Sequence, residues 1–271
     1  MTVARSLPGS LAPVVEELEL EQPRVVTLAQ ITDILHRVGA GKAASEPGHV
    51  AYELQRRGWL GRLRTMNTWE FLPGARAGAH GSGDRLIELR AQLALKPDMS
   101  IALAMESAAV LNRLAQRAPA QEVLWLPARR QPPKALSGFR LVHVELPDAA
   151  VEHVDQLPVW GVDALLVGVA TRPSSYRDLA GLAQWLPDSG PRIDYERLLA
   201  CLSAANSSTR QRLIYLLQLA ERPDLAEDLA RRSPPTAPVW FGAARSGGRQ
   251  DRLSRVLDAE LAPLMSGGTG A

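Results

Sequence analysis

The chain has 271 residues, 46% of them hydrophobic, with a net charge of +2 and a mean hydropathy of −0.09. That length allows one large domain or two ordinary ones, and the composition is that of a soluble globular protein with a real core. No apolar run approaches the roughly 20 residues needed to cross a bilayer, the start turns acidic where a signal peptide stays apolar, and the single cysteine, Cys201, excludes an internal disulfide framework and a Cys-based zinc cluster. A cytoplasmic protein is expected.

In chain order, Leu11, Val14, Val15 and Leu18 fall at helical spacing after Ser10, a candidate N-cap, and Gln22-Pro23 stops that helix. After the apolar step Val25-Val26, Thr27 caps a second helix on which Leu28, Ile31, Leu35 and Val38 face inward and Gln30, Asp33 and Arg37 outward, closed by Gly39 and Gly41. A third helix begins near Ser45, with Glu46 and Pro47 in its first turn and Gly58 at its end. Trp59 to Arg64 alternates apolar and basic residues as a half-buried strand does. Met66-Asn67-Thr68 is a turn, and Trp69 to Leu72 the returning strand, ended by Pro73-Gly74. Helix, helix, helix, hairpin is the winged-helix order. The fold class expected is therefore α+β, an N-terminal winged helix-turn-helix over residues 1–74 followed by a larger mixed α/β domain.

The glycine-rich stretch 75–83 reads as a linker, leaving residues 84–271 for the second domain. There, 84–95, 100–116, 176–185, 194–204, 208–220, 224–231 and 251–265 read as helices. Residues 122–127, 139–146, 164–170 and 238–242 read as strands, with Pro132-Pro133 and Pro158 in loops.

Charge is unevenly placed. From Arg24 to Arg76 there are eight basic residues against four acidic ones, after a segment carrying Glu16, Glu17, Glu19 and Glu21. A locally basic module of this order suits a nucleic-acid face. The second helix of a helix-turn-helix enters the major groove, because that groove admits a helix and displays the full base code. Ser45, His49, Tyr52 and Arg56 share the third helix's outward face and are candidate groove readers, Arg56 by forking onto a guanine edge or gripping a phosphate. Arg62 and Arg64 on the wing, with Asn67 and Thr68 at its tip, are candidates for backbone or minor-groove contacts, and Thr27, Gln30 and Lys42 complete the candidate set. The alternative for each is an ordinary solvated polar face. Trp59 and Trp69 read as core of the wing, not as stacking platforms.

Catalytic patterns are not found. Gly39-Ala40-Gly41-Lys42 departs from a phosphate loop at His36 and Ala43 and follows a helix. No two of His36, His49, His80, His143 and His153 stand at i, i+4, so no helical metal site is expected. Cys201, on an apolar stripe with Leu198 and Leu202, reads as inert core. No nucleophile elbow, kinase set or dinucleotide fingerprint occurs. Neither enzymatic activity nor a cofactor or metal is expected.

The residues also carry a family resemblance. The passage Leu54-Gln55-Arg56-Arg57-Gly58-Trp59-Leu60, the wing ending Trp69-Glu70-Phe71-Leu72-Pro73, Ser107-Ala108-Ala109 at a helix start and Pro238-Val239-Trp240-Phe241-Gly242 resemble the AbiEi-type antitoxins of type IV toxin–antitoxin systems. That resemblance implies a winged helix that represses the chain's own operon by binding repeats in its promoter DNA, and a C-terminal domain that counters a nucleotidyltransferase-like toxin, with or without a direct complex. It implies no catalytic residues and no membrane partner. The alternative from another class is a stand-alone regulator whose C-terminal body senses a small ligand, which a convergent pocket in residues 84–271 would favour.

Overall fold

The computed structural model describes residues 7–40, 46–74, 83–127 and 131–266. Its mixed helices and strands fall into two units, Met1–Met99 with Pro133–Ser137, and Ser100–Pro132 with Gly138–Ala271.

The first unit runs α1 (Ala12–Glu21), β1 (Val25–Thr27), α2 (Leu28–Arg37), α3 (Pro47–Arg56), β2 (Leu60–Arg62), β3 (Thr68–Phe71) and α4 (Ile87–Leu95). Up to β3 this is the element order of a winged helix. Its strands form an antiparallel sheet in the order β1-β3-β2, with Val26 opposite Trp69 and Leu60 opposite Phe71. One core joins Val14, Val15 and Leu18 of α1, Ile31, Ile34 and Leu35 of α2, and Val50, Ala51 and Leu54 of α3 to Leu60 and Phe71, with Trp59 and Trp69 packed at its margin. A fully buried Leu or Ile stabilises by about 1.5–3 kcal/mol, so the interlocked helices, more than propensity, hold this unit.

Helix starts follow different devices. Thr27 and Gln30 make a full capping box, each side chain bonded to the other's backbone N–H, which satisfies two donors that would otherwise be orphaned. Ser10 does not cap α1: the N-cap is Leu11, without a side-chain bond, and a proline in the first turn takes over the start. Gln22 ends α1 in the left-handed region at φ 47°, its N–H bonded to the Leu18 carbonyl. Past β3, the segment 75–82 lies outside the described residues, and α4, read from sequence as part of the second domain, belongs to the first unit.

The second unit continues with β4 (Ala102–Leu103), α5 (Met105–Leu111), β5 (Val123–Trp125), β6 (Arg140–Val142), β7 (Val151–Val154), β8 (Leu157–Trp160) and α6 (Val162–Thr171). There follow α7 (Leu179–Trp185), α8 (Tyr195–Cys201), α9 (Ser207–Leu219), α10 (Pro223–Arg232), β9 (Val239–Trp240), β10 (Arg249–Gln250), β11 (Val256–Asp258) and α11 (Leu261–Ser266). A mixed five-stranded sheet is ordered β6-β5-β4-β8-β7, and a small one β10-β11-β9. Helix α6 runs through the middle, Val162 to Ala170 all buried, packed against α5, α8 and α9. At Gly168 a Cβ would collide with the Trp160 ring, so glycine is required for that close approach.

Four sequence readings are corrected here. Residues 164–170 are helix, not strand, because an element buried on all sides loses the period that distinguishes the two. Residues 151–160 form a hairpin turning through Asp155 and Gln156 at φ 50° and 62°, and Pro158 lies in its second strand opposite His153, not in a loop. Within 100–116 a short strand precedes the helix, which spans only Met105–Leu111. Residues 251–265 are not one helix but largely β11 and α11.

Candidate nucleic-acid interface

Helix α3 is oriented by Val50, Ala51 and Leu54, all buried, which leaves His49, Tyr52 and Arg56 exposed together on the opposite side. Tyr52 keeps 58% of its surface, an unusual amount for a large aromatic. Arg56 donates from Nη2 to Glu53 Oε2 at 3.0 Å, and Arg57 Nε lies 3.4 Å from the same oxygen. The Arg56 hydrogen bond holds the Glu53 carboxyl below, and the guanidinium above, their ordinary pKa values. This pair is solvent-exposed and screened, so a phosphate or guanine can exchange with Glu53 at small cost.

The wing departs from the sequence reading in one respect. Strand β2 ends at Arg62, and strand parity puts Leu60, at the core, on the same side as Arg62, which lies beyond the core edge and is exposed. Arg64, Met66 and Asn67 are exposed in the connecting turn, Met66 at 81%. Asn67 stands at φ 58°, and its carbonyl accepts the Leu28 N–H at 3.0 Å, joining the wing to the start of α2.

Thr68, expected at the tip, is instead buried in β3 opposite Thr27, its hydroxyl donating to the Thr65 carbonyl at 2.8 Å. Thr27 is buried as well, and its hydroxyl and the half-buried Gln30 amide are committed to the capping box. These three hold the frame and do not face outward as a reading surface. Lys42 and Ser45 lie outside the described residues. The structure thus brings His49, Tyr52 and Arg56 onto one helix face and puts Arg62, Arg64 and Asn67 on the wing.

The sequence reading missed what supports the wing. Glu88 of α4 accepts from the Arg64 N–H at 2.7 Å, the Thr65 N–H at 3.3 Å and the Thr65 hydroxyl at 3.1 Å, while Gln92 Nε2 donates to that hydroxyl at 2.7 Å. No local pattern links residues more than 20 positions apart, so nothing in the sequence pointed to this clamp.

The second unit buries several of its polar groups in closed networks. Glu106 accepts from Arg140 Nη2 at 2.5 Å and from the Arg177 N–H at 2.5 Å, and Arg140 also donates to the Ser175 carbonyl. Ser107 Oγ donates to Glu122 at 2.5 Å and accepts from the Val123 N–H. Asp258 accepts from the Tyr215 hydroxyl and from three backbone N–H groups at the start of α11. Burial pushes the Cys201 thiol up to about 11, which leaves it neutral and unreactive at neutral pH. Among the described residues no helix is long and apolar enough to cross a membrane, and no group of His, Cys, Asp and Glu is placed to hold a metal ion.

Residues 101–219 match the family model of the AbiEi antitoxin C-terminal domain. The second unit carries an AbiEi antitoxin domain. The match opens just ahead of β4 and ends with the last residue of α9, so the AbiEi domain comprises the five-stranded sheet and the helices packed on α6. The crystal structure of the RV2827C protein from Mycobacterium tuberculosis resembles the whole chain, with a TM-score of 0.81 and 29% identity over 99% of this chain and 98% of that one. No curated protein matches the chain.

Proposed function

We propose that this chain is an autoregulating antitoxin: its winged helix binds double-stranded DNA at repeats in its own promoter and represses the operon, and its AbiEi domain counters a nucleotidyltransferase-like toxin. The observation that carries the DNA-binding half is the outward face of α3, with His49, Tyr52 and Arg56 exposed beside a wing bearing Arg62 and Arg64. A second helix of this kind supplies base-edge contacts and a basic wing supplies phosphate contacts. The AbiEi domain carries the antitoxin half.

An anisotropy titration against the chain's own upstream DNA, with scrambled competitor and a salt series, tests the first half. Specific binding whose affinity falls steeply with salt supports it. Equal affinity for competitor overturns the repressor reading and makes the α3 face a protein contact. Co-expression with a nucleotidyltransferase-like toxin, sought first in the neighbouring reading frame, tests the second half: growth rescue supports it, and continued growth arrest overturns it.

A further inference from the structure

A cavity of about 440 Å³ opens in the second unit where the end of α6, the α8–α9 turn and the chain leaving β6 converge. That volume lies within the usual range of small-molecule sites. Val144, Val167 and the Cys201 thiol line it, together with polar groups that include His143, Glu145, Arg172, Asn206 and Thr209.

Two of these groups, Arg172 and Thr209, and the start of α9 are prepared for a negative charge. Arg172 is exposed at the cavity, with its Nε–H donated to the His143 carbonyl at 2.9 Å, which fixes the guanidinium while its terminal nitrogens have no carboxylate partner among the described residues. Thr209 retains only 1% of its surface, yet its hydroxyl makes no hydrogen bond among the described residues and the residue lines the cavity. The residue is otherwise enclosed, so this free hydroxyl on the cavity wall is open to a ligand from the cavity side alone. Thr209 stands in the first turn of the 13-residue α9, whose N-terminus carries the partial positive charge of the helix. The wall is stiff: Asn206 caps α9 by accepting the Thr209 N–H at 2.9 Å, and Arg210 donates to the Ala205 and Leu202 carbonyls of the preceding turn.

One carboxylate, Glu145, also lines the cavity. It would repel a bare polyanion and would accept from a hydroxyl or amine on the same ligand. His143, whose Nδ1 lies 3.3 Å from the Leu126 carbonyl, adds a second polarisable group on the Arg172 side.

We propose that this cavity binds a small metabolite with one oxyanion, carboxylate or phosphate, held by Arg172, Thr209 and the start of α9, and with a hydroxyl or amino donor turned to Glu145. The site lies wholly in the second unit and does not depend on whether the winged helix binds DNA.

The test is calorimetric titration of the full chain with two probes, ribose 5-phosphate for the phosphate arm and L-glutamate for the carboxylate arm, at ionic strength matched with sodium chloride. Saturable binding of at least one probe is expected, tenfold weaker in Arg172→Ala and several-fold weaker in Thr209→Val, which keeps the side-chain volume and removes the hydroxyl. Unchanged thermal unfolding of both variants without probe separates lost binding from lost folding. Absence of saturable heat with both probes, or full affinity retained in either variant, overturns the site.

Discussion

In the first unit, the buried polar side chains Thr27, Thr65, Thr68 and Gln92 fix backbone at the start of α2 and in the wing. The arginines Arg56, Arg62 and Arg64 stay in water, while Glu70 of β3 is, among the described residues there, the one charged side chain that is buried. In the second unit, more carboxylates go inside: Glu106 with Arg140, Asp163 beside the half-exposed Arg197, and Asp258 with the Tyr215 hydroxyl. The exposed pairs of the first unit, such as Arg56 with Glu53, can exchange with an outside partner at small cost. A buried pair such as Glu106 with Arg140 is committed to the fold, and removing one member leaves a buried charge without compensation.

The largest effect expected from that difference is at Arg140. Its replacement by alanine strands Glu106, which is 5% exposed, and should cost about 3–5 kcal/mol in urea unfolding. Hydrogen exchange then locates the loss: amides of β5, β6 and α6 should lose protection while those of α2 keep theirs. Equal loss in α2 would break the contrast between the units.

A smaller effect is expected from Asp163, whose carboxyl burial pushes up from 3.8 to about 6 against the opposing Asp194 N–H and Arg197 guanidinium. A carboxyl raised in the folded state binds its proton more tightly there than in the unfolded chain. Its contribution is therefore complete below about pH 4 and is lost as pH rises through about 6, by no more than about 3 kcal/mol at roughly 1.4 kcal/mol per pKa unit. Asp163→Asn keeps the acceptor for the Asp194 N–H and should flatten this part of the stability–pH curve. An unchanged slope in the variant would assign the effect to another group.

At the proposed DNA face, Arg56→Ala should weaken specific binding by about 1–3 kcal/mol if the side chain reads a base, and should relax discrimination at that base pair. Paired replacement of Arg62 and Arg64 by alanine should instead weaken all sequences alike and lower the salt slope by about 1 to 2. The reverse assignment, uniform loss at Arg56 and sequence-dependent loss at the wing, would move base reading from α3 to the wing.

How far each unit could be read beforehand follows from the same contrast. Helix α2 was legible because water lies on one side of it: Ile31, Ile34 and Leu35 face inward while Asp33 and Arg37 face out, and Thr27 marks the start. Helix α6 has no wet side, so Val162 to Ala170 presents an apolar run that fits a buried strand equally well. The β7–β8 turn uses Asp155 and Gln156 in the left-handed region without the glycine that usually advertises such a hairpin. At the candidate interface, the α3 face followed from periodicity alone. The burial of Thr68 did not, because it depends on where β3 begins, and neither did the Glu88 clamp, which depends on tertiary contact.

The smallest expected effect bears on that last point. Thr27 was a plausible DNA contact by position, a hydroxyl at the start of the first helix of the motif, but its side chain is 6% exposed and closes a capping box with Gln30. Thr27→Ala should therefore cost about 1 kcal/mol of stability, the usual value of a cap, and leave DNA affinity unchanged at temperatures where the variant is fully folded. Thr27→Ser separates the two roles, since serine caps as well as threonine and should restore stability. An affinity loss in the alanine variant larger than its stability loss, measured under conditions where both proteins are folded, would mean that Thr27 contacts DNA after all. The winged helix would then have to open its first cap on binding, and its polar residues would no longer divide cleanly into those that hold the frame and those that face the partner.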